Sequence, residues 1–246
     1  ITLIDGPDGK IGPDALARTL AATGATGVHN VQPGALTLTN ATEAGTLYSV
    51  AELAQLSRIA KDAGCPVHLD GARFANAVAA LGCTPAEMTW KAGIDAVSFG
   101  GTKNGLMGVE AILLFDPEKS WELELRRKRG GHLFSKYRYL AAQMQAYLDG
   151  DLWLSLAAHA NRMAARLSQG LLQAPGTRLL HPTEANAVFA GLPASAHHAA
   201  EAGGARYYPW PAPDPRDGEV SVRLMCSWTT TEDEVDALVR QIQHAA

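Results

Sequence analysis

The chain has 246 residues, of which 47% are hydrophobic and 19% are charged, which is enough apolar material for a globular core. Its net charge is −4 and no part of it is strongly basic, so nucleic acid is not expected as a partner. No apolar run reaches the roughly 18 residues that a membrane helix needs, which predicts no membrane contact. Three cysteines without C-x-x-C spacing predict reduced thiols in a cytoplasmic protein.

Helices and short apolar strands alternate along the first 120 residues. The first predicted helix covers 13–23. A second follows the capping-box pair Ser49 and Glu52 and ends at Gly64, and a third is predicted at 75–82. Strands are predicted at 34–41, 66–70, 95–101 and 110–116. This alternation predicts an α/β fold with a mainly parallel sheet.

After about residue 120 the pattern becomes helical, with breaks near Gly130 and Gly150. Further strands are predicted at 186–192, 206–210 and 219–228, with a Pro-rich loop between the last two and a final helix from Thr231. We therefore predict two domains. Residues 1–143 would carry the mainly parallel sheet, and residues 144–246 would form a small α+β domain.

Asp70 closes the apolar strand at 66–70 and is followed by Gly71. Ligands of open α/β sheets bind beyond the carboxyl ends of the strands, so this carboxylate can face a cationic ring nitrogen. The alternative is an exposed aspartate that caps the next helix. His68 points to the same face of the strand, but two side chains are too few for a metal site, and no metal is predicted.

Lys103 follows the strand at 95–101 within the glycine-rich segment GGTKNG. Glycines let a ligand approach the backbone closely, and a lysine in a crowded site can act as an amine nucleophile that forms a Schiff base with an aldehyde. The alternative is a solvated loop lysine. The glycine spacing matches neither GxGxxG nor a P-loop, so nucleotide binding is not predicted.

Two other basic features have both a structural and a functional interpretation. Residues 126–129 are all basic and form either a solvated helix face or a phosphate-binding group, for which arginine offers bidentate geometry. Arg223 lies inside the apolar strand at 219–228, where a charge is costly unless it is paired. It predicts either a structural ion pair or a clamp for a substrate carboxylate.

Four segments together resemble the low-specificity L-threonine aldolases, which belong to the β-eliminating lyase group of pyridoxal-phosphate enzymes. They are LTLTNATEAGTLYSVAEL (36–53), HLDGARFANA (68–77), DAVSFGGTKNGLMGVEAILLF (95–115) and RRKRGGHLFSKYRYLAAQMQAYL (126–148). The resemblance runs over nearly the whole chain and is weakest toward its C-terminus. It implies the aspartate-aminotransferase fold type I. Residues 1–143 would be the C-terminal part of the large domain, and a further family segment with the phosphate cradle would precede Ile1.

The resemblance also implies roles for matching residues. Lys103 would form a Schiff base with pyridoxal phosphate, Asp70 would pair with its ring nitrogen, and Thr102 would lie near its phosphate. Arg73 would sit beside the ring, near the cofactor's 3-oxygen or the substrate carboxylate. Arg223 would hold that carboxylate.

The implied reaction is retro-aldol cleavage of L-threonine or L-allo-threonine to glycine and an aldehyde, in a homodimer or homotetramer. Some family members carry a histidine where Thr42 and Glu43 stand, so the base at the substrate hydroxyl would be Glu43, a water or a residue outside the chain. Lys128 is the best match for a basic residue that reaches toward a phosphate or a neighbouring subunit's site. Alternatives are a phenylserine aldolase, another pyridoxal-phosphate β-eliminating lyase, and a non-catalytic fragment or degenerate subunit.

Overall fold

The structure, a computed structural model, describes residues 1–23, 27–210 and 218–245. Its α-helices are α1 (Pro13–Ala22), α2 (Val50–Asp62), α3 (Phe74–Leu81), α4 (Pro85–Met88), α5 (Ser120–Arg129), α6 (Arg138–Leu148), α7 (Leu152–Leu171), α8 (Ala194–Ala202) and α9 (Glu232–Ala245). Its strands are β1 (Leu36–Thr39), β2 (Val67–Gly71), β3 (Ala96–Gly100), β4 (Glu110–Leu114), β5 (Arg178–Leu179), β6 (Ala187–Pro193), β7 (Tyr208–Pro209) and β8 (Glu219–Met225). The two-residue β5 was not predicted, and most of the predicted Pro-rich loop, at 211–217, lies outside the described residues.

The first sheet contains β1, β2, β3 and β4 in that order. The strands β1, β2 and β3 run parallel, and β4 returns antiparallel to β3. The mainly parallel sheet that the sequence predicts is therefore present. Because the three parallel strands end at one edge, the segments that follow Thr39, Gly71 and Gly100 are neighbours there.

Helix α2 begins at the predicted capping box. The Ser49 hydroxyl accepts the N–H of Glu52 at 3.2 Å, and the Glu52 carboxylate accepts the N–H of Ser49 at 2.7 Å. Leu53, Leu56 and Ala60 lie three or four residues apart along α2, which places them on one face, and all three are buried. Local signals thus fix both the start of α2 and the face that it buries.

The first core lies between this sheet and the helices α2, α3 and α7. The buried positions of β1, β2 and β3 alternate along each strand, as a half-buried sheet requires. An aromatic cluster at its centre includes Phe74, which stacks on Trp153 with ring centroids 6.2 Å apart and meets the edge of Phe99 at 5.4 Å. This cluster supports α3 directly behind the end of β2.

The second sheet has the order β5-β6-β8-β7 and is antiparallel throughout. Helix α7 reaches both cores: Trp153 and Ala157 belong to the first, whereas Met163, Leu167 and Leu171 belong to the second. The predicted division into 1–143 and 144–246 remains a prediction. Among the described residues, no helix combines the length and the hydropathy needed to span a membrane.

Candidate active site

Apart from Lys128, which lies on α5, the predicted site residues lie on segments that meet at the carboxyl edge of the first sheet. Arg73, which follows β2, points its guanidinium at the sulfur of Met225 at the end of β8, 3.9 Å away. Gly105, which follows β3, faces the ring of Trp228, since a Cβ at this glycine would lie 3.5 Å from that ring. The end of β8 therefore lies beside the turns that follow both β2 and β3.

Asp70 lies next to the last residue of β2, opposite Thr39 of β1 and Ser98 of β3. One carboxylate oxygen accepts the N–H of Ala72 at 3.0 Å, and the other has no partner among the described residues. The predicted alternative, a cap on α3, is wrong, because the N-cap of this helix is Arg73 and it has no side-chain cap. Asp70 thus has one carboxylate oxygen free for a ligand.

His68 lies on the same face of β2 as Asp70, but its Nε2 is 2.9 Å from the hydroxyl of Ser98. His68 thus has a hydrogen-bond partner on the neighbouring strand. A different cluster on α8 brings ring nitrogens of His197 and His198 close to the carboxylate of Glu201. His197 is buried there, and its Nδ1 lies 3.1 Å from the hydroxyl of Tyr207.

Lys103 is exposed in a single 3-10 turn, Thr102–Asn104, directly after β3. Its ammonium group forms no hydrogen bond or ion pair with the described residues. The neighbouring Asn104 is buried and donates to the Tyr147 hydroxyl at 2.6 Å and to the Trp153 carbonyl at 2.9 Å. The side chain of Lys103 therefore has no partner among the described residues, whereas the neighbouring Asn104 is held by two hydrogen bonds.

The glycines before Lys103 pack closely against neighbouring segments. A Cβ at Gly100 would lie 2.6 Å from the carbonyl oxygen of Ala72. A Cβ at Gly101 would meet the side chain of Leu106 and would lie 2.8 Å from the carbonyl oxygen of Val109. These two glycines therefore let the end of β3 pack against the turn after β2 and against its own loop. The close approach of a ligand at these glycines remains a prediction.

Two arginines and one carboxylate interact at this edge of the sheet. Burial and the neighbouring cation of Arg223 lower the pKa of Arg73, and the carboxylate of Glu43 partly offsets them. Glu43 is exposed in a loop whose adjacent residues are buried. Arg223 and Glu43 thus both lie within electrostatic range of Arg73, and the two cations repel each other unless an anion lies near both.

Arg223 lies mid-strand in β8, as predicted, but it forms no ion pair with the described residues, so the predicted structural ion pair is not found there. Its Nε is buried and has no hydrogen-bond partner in that part of the chain. The guanidinium carbon lies 5.4 Å from the ring centroid of Trp210, which follows β7. Sequence reasoning missed this tryptophan because the contact depends on the pairing of β7 with β8.

Thr102 and Lys128 are less closely tied to the other predicted residues. The N–H of Thr102 donates to the Glu110 carboxylate at 3.1 Å, which leaves its hydroxyl for a ligand. Lys128 is exposed on α5 and forms no ion pair in the described structure, whereas Arg126, Arg127 and Arg129 pair with glutamates of the same helix. The roles predicted for Thr102 and Lys128 remain predictions.

A cavity of about 840 Å³ lies along β1, the edge strand of the first sheet. Residues 1–5 and all four residues of β1 line much of it. Glu43 lines its rim, but Asp70, Lys103 and Arg223 do not. The cavity therefore meets the predicted site at one residue only and is a different feature.

The chemical groups at the sheet edge fit pyridoxal phosphate and an amino-acid substrate. The free oxygen of Asp70 suits a protonated ring nitrogen, and the unengaged amine of Lys103 suits an aldehyde. The unpaired Nε–H of Arg223 beside Arg73 suits a carboxylate. The chain thus offers a partner for each of these groups.

Residues 1–194 match the family model of the β-eliminating lyases, which is more than three-quarters of the chain. The chain belongs to the β-eliminating lyase family. It is 45% identical over 216 residues to the low specificity L-threonine aldolase of Pseudomonas aeruginosa. That match covers 88% of this chain and 61% of the relative, so the chain spans about three-fifths of the length of the curated protein.

Two solved structures show the same fold. The chain superposes on the threonine aldolase of Leishmania major with a TM-score of 0.86 and 29% identity, over 97% of this chain and 68% of that one. It superposes on a putative L-allo-threonine aldolase of Listeria monocytogenes with a TM-score of 0.73 and 16% identity, over 100% of this chain and 68% of the other. These likenesses confirm the predicted fold type I of the pyridoxal-phosphate-dependent enzymes.

Proposed function

We propose that the complete protein is a pyridoxal-phosphate-dependent aldolase that cleaves L-threonine and L-allo-threonine to glycine and acetaldehyde. The observation that carries the proposal is the arrangement at one sheet edge of an acid with a free oxygen, Asp70, an unengaged amine, Lys103, and an arginine with an unpaired donor, Arg223. The identity with the Pseudomonas aeruginosa enzyme supports the same activity.

Asp70 and Lys103 are the proposed residues for cofactor chemistry. When bound, pyridoxal phosphate withdraws electrons from the carbon that bears the substrate amino group. The carboxylate of Asp70, oriented by the N–H of Ala72, holds a proton on the ring nitrogen. The amine of Lys103 would hold the cofactor at its aldehyde carbon and would release it to the amino group of the substrate.

Arg223 and Arg73 are the proposed ligands of the substrate carboxylate. Arg223 has a buried N–H to donate, and the carboxylate relieves the repulsion between the two cations. Holding the carboxylate fixes the rotation about the bond between the amino nitrogen and the α-carbon. The Cα–Cβ bond is thereby oriented for cleavage before the reaction starts.

Glu43 is the proposed base at the substrate hydroxyl. It is exposed while its loop is anchored, because the side-chain amide of the buried Asn40 donates to the Tyr48 carbonyl and accepts the Tyr48 N–H across it, both at 3.1 Å. Its carboxylate takes the hydroxyl proton, the Cα–Cβ bond breaks, and the aldehyde leaves. A proton then returns to the α-carbon, which gives glycine.

The test is aldehyde release from L-threonine and L-allo-threonine by the complete protein with added pyridoxal phosphate. We expect glycine and aldehyde in equal amounts, loss of the Schiff-base absorbance in Lys103→Ala, and a kcat lower by about 10²-fold or more in Glu43→Gln. Ketoacid and ammonia in place of glycine would assign the protein to elimination. Unchanged absorbance in Lys103→Ala would overturn the role of this lysine.

The complete protein is further proposed to be a homodimer or homotetramer in the cytoplasm. Exposed apolar side chains on β4 and α5, such as Ile112 and Trp121, support a subunit contact. The three cysteines are unpaired and two of them are buried, which fits a reducing compartment. Light scattering of the complete protein tests the oligomer, and a monomer at micromolar concentration would rule it out.

A further inference from the structure

The turn that carries Lys103 begins with two backbone amides bound to one carboxylate. The N–H of Gly101 donates to Oε2 of Glu110 at 3.1 Å, and the N–H of Thr102 donates to Oε1 at 3.1 Å. Both oxygens of one side chain thus hold two consecutive peptide units. Hydrogen bonds from backbone amides to a carboxylate are stronger than those between neutral groups.

Strand pairing puts Glu110 in this place. As the first residue of β4, it lies opposite Gly100, the last residue of β3. The strands β3 and β4 therefore form an antiparallel hairpin whose loop, 101–109, contains Lys103. The Glu110 side chain closes this loop at its base by bonding its first two residues.

The other end of the turn is held independently. Asn104 is buried and donates to the Tyr147 hydroxyl and the Trp153 carbonyl, which belong to α6 and α7. Lys103 thus has a free side chain between two anchored neighbours: the backbone of Thr102 is held by a carboxylate, and Asn104 is held by its buried side-chain amide.

We propose that Glu110 is a positioning residue for Lys103. By holding the two preceding peptide units, Glu110 keeps the lysine amine within reach of the cofactor aldehyde, so that covalent attachment needs no search by a mobile loop. The inference rests on the proposed role of Lys103. It also implies that the amides of Gly101 and Thr102 are occupied and do not bind a phosphate.

The test is the variant Glu110→Gln in the complete protein. Glutamine keeps the length of the side chain, but its side-chain nitrogen cannot accept a hydrogen bond. One of the two backbone N–H groups would therefore face another N–H donor. We expect the rate constant for appearance of the visible absorbance, on mixing apoprotein with pyridoxal phosphate, to fall by about 10-fold or more. Glu110→Asp, which retains both acceptors, should recover part of the rate.

The matched control is Glu87→Gln. The Glu87 carboxylate also accepts two hydrogen bonds from one turn, from the N–H of Thr84 at 2.8 Å and from its hydroxyl at 2.7 Å, but at the start of the short helix α4. This variant should attach the cofactor at the wild-type rate. A decrease equal to that of Glu110→Gln would indicate general destabilisation and overturn the inference.

A second comparison separates positioning from cofactor binding. In a Lys103→Ala background, adding Glu110→Gln should change the dissociation constant for pyridoxal phosphate by less than about 2-fold, because Glu110 acts through the lysine. A large loss of affinity in that background, or a wild-type attachment rate in Glu110→Gln itself, would overturn the inference. Schiff-base absorbance that persists in Lys103→Ala would instead overturn the proposed role of Lys103, on which the inference rests.

Discussion

The ring of Trp210 lies against the guanidinium of Arg223, with 5.4 Å between the ring centroid and the guanidinium carbon. The two residues belong to neighbouring strand segments, because β7 pairs with β8 and the N–H of Trp210 donates to the carbonyl of Ser221 at 2.9 Å. This contact fixes the plane of the guanidinium that is proposed to bind the substrate carboxylate.

Trp210→Ala is therefore expected to weaken substrate binding more than turnover. A cation–π contact contributes about 0.5–2 kcal/mol, which corresponds to a rise in KM for L-threonine of roughly 2- to 30-fold with kcat nearly unchanged. Steady-state aldehyde release by the complete protein measures both constants. Trp90→Ala is the control, since Lys91 lies 5.6 Å from the Trp90 ring centroid outside the site, and it should leave KM unchanged.

Gly100→Ala is expected to destabilise the fold. Its new methyl group would lie 2.6 Å from the carbonyl oxygen of Ala72, and forced contacts of this kind cost about 1–3 kcal/mol. A Cβ at Gly108, in the loop after β3, would meet no atom within 4 Å. Gly108→Ala should therefore change the free energy of unfolding by less than about 0.5 kcal/mol. Denaturant unfolding compares the two, and equal midpoints would contradict the close packing at Gly100.

Asn104→Ala is expected to lower the free energy of unfolding by about 1–3 kcal/mol, because it leaves the Trp153 carbonyl and the Tyr147 hydroxyl without their donor. Tyr147→Phe removes only one of the two bonds and should cost about 0.5–1.5 kcal/mol. Chemical denaturation measures both variants. A loss in Asn104→Ala no larger than that in Tyr147→Phe would mean that the bond to Trp153 contributes little.

The stability of the protein is expected to fall in alkali partly through Tyr207. Burial and the nearby Glu201 raise the pKa of this phenol to about 12, above its usual value of about 10. The folded state therefore keeps the proton that the unfolded state loses, so the contribution is complete below about pH 10 and disappears as the pH rises toward 12.

Unfolding free energies at about pH 9 and about pH 11 measure this contribution. Tyr207→Phe should lose less stability between the two values than the wild type, whereas Tyr208→Phe, whose side chain is exposed, should follow the wild type. Identical losses in all three proteins would show that Tyr207 ionises equally in the folded and unfolded states.

Local patterns predicted much of the fold. The capping box of Ser49 and Glu52 formed as the sequence indicated, and the strands that end near Asp70 and Lys103 lie next to each other in the first sheet. Each of these elements is specified locally: the start of the helix by its capping box, and each strand by its own apolar run. The two-residue β5 carries no periodicity, so only its pairing with β6 defines it.

The contacts around the site residues could not be predicted in the same way. Glu110 stands at the start of a predicted strand, but its bonds to the turn before Lys103 require β4 to return antiparallel to β3. The glycine at 100 was correctly placed at the end of the strand, yet only the tertiary structure shows that Ala72 occupies the space beside it. Spacing along the chain locates chemical groups, and packing decides what they touch.

Helix α7 links the packing of the two sheets, because it contributes residues to the cores of both. Its first turns pack in one core and its last turns in the other, and its 20 residues have no break. Arg223 on the second sheet and Lys103 in the turn after β3 are therefore held in a fixed relation through this rigid rod, which is about 30 Å long. Loss of packing in either core releases one end of that rod, so we expect both sheets to unfold in a single cooperative step.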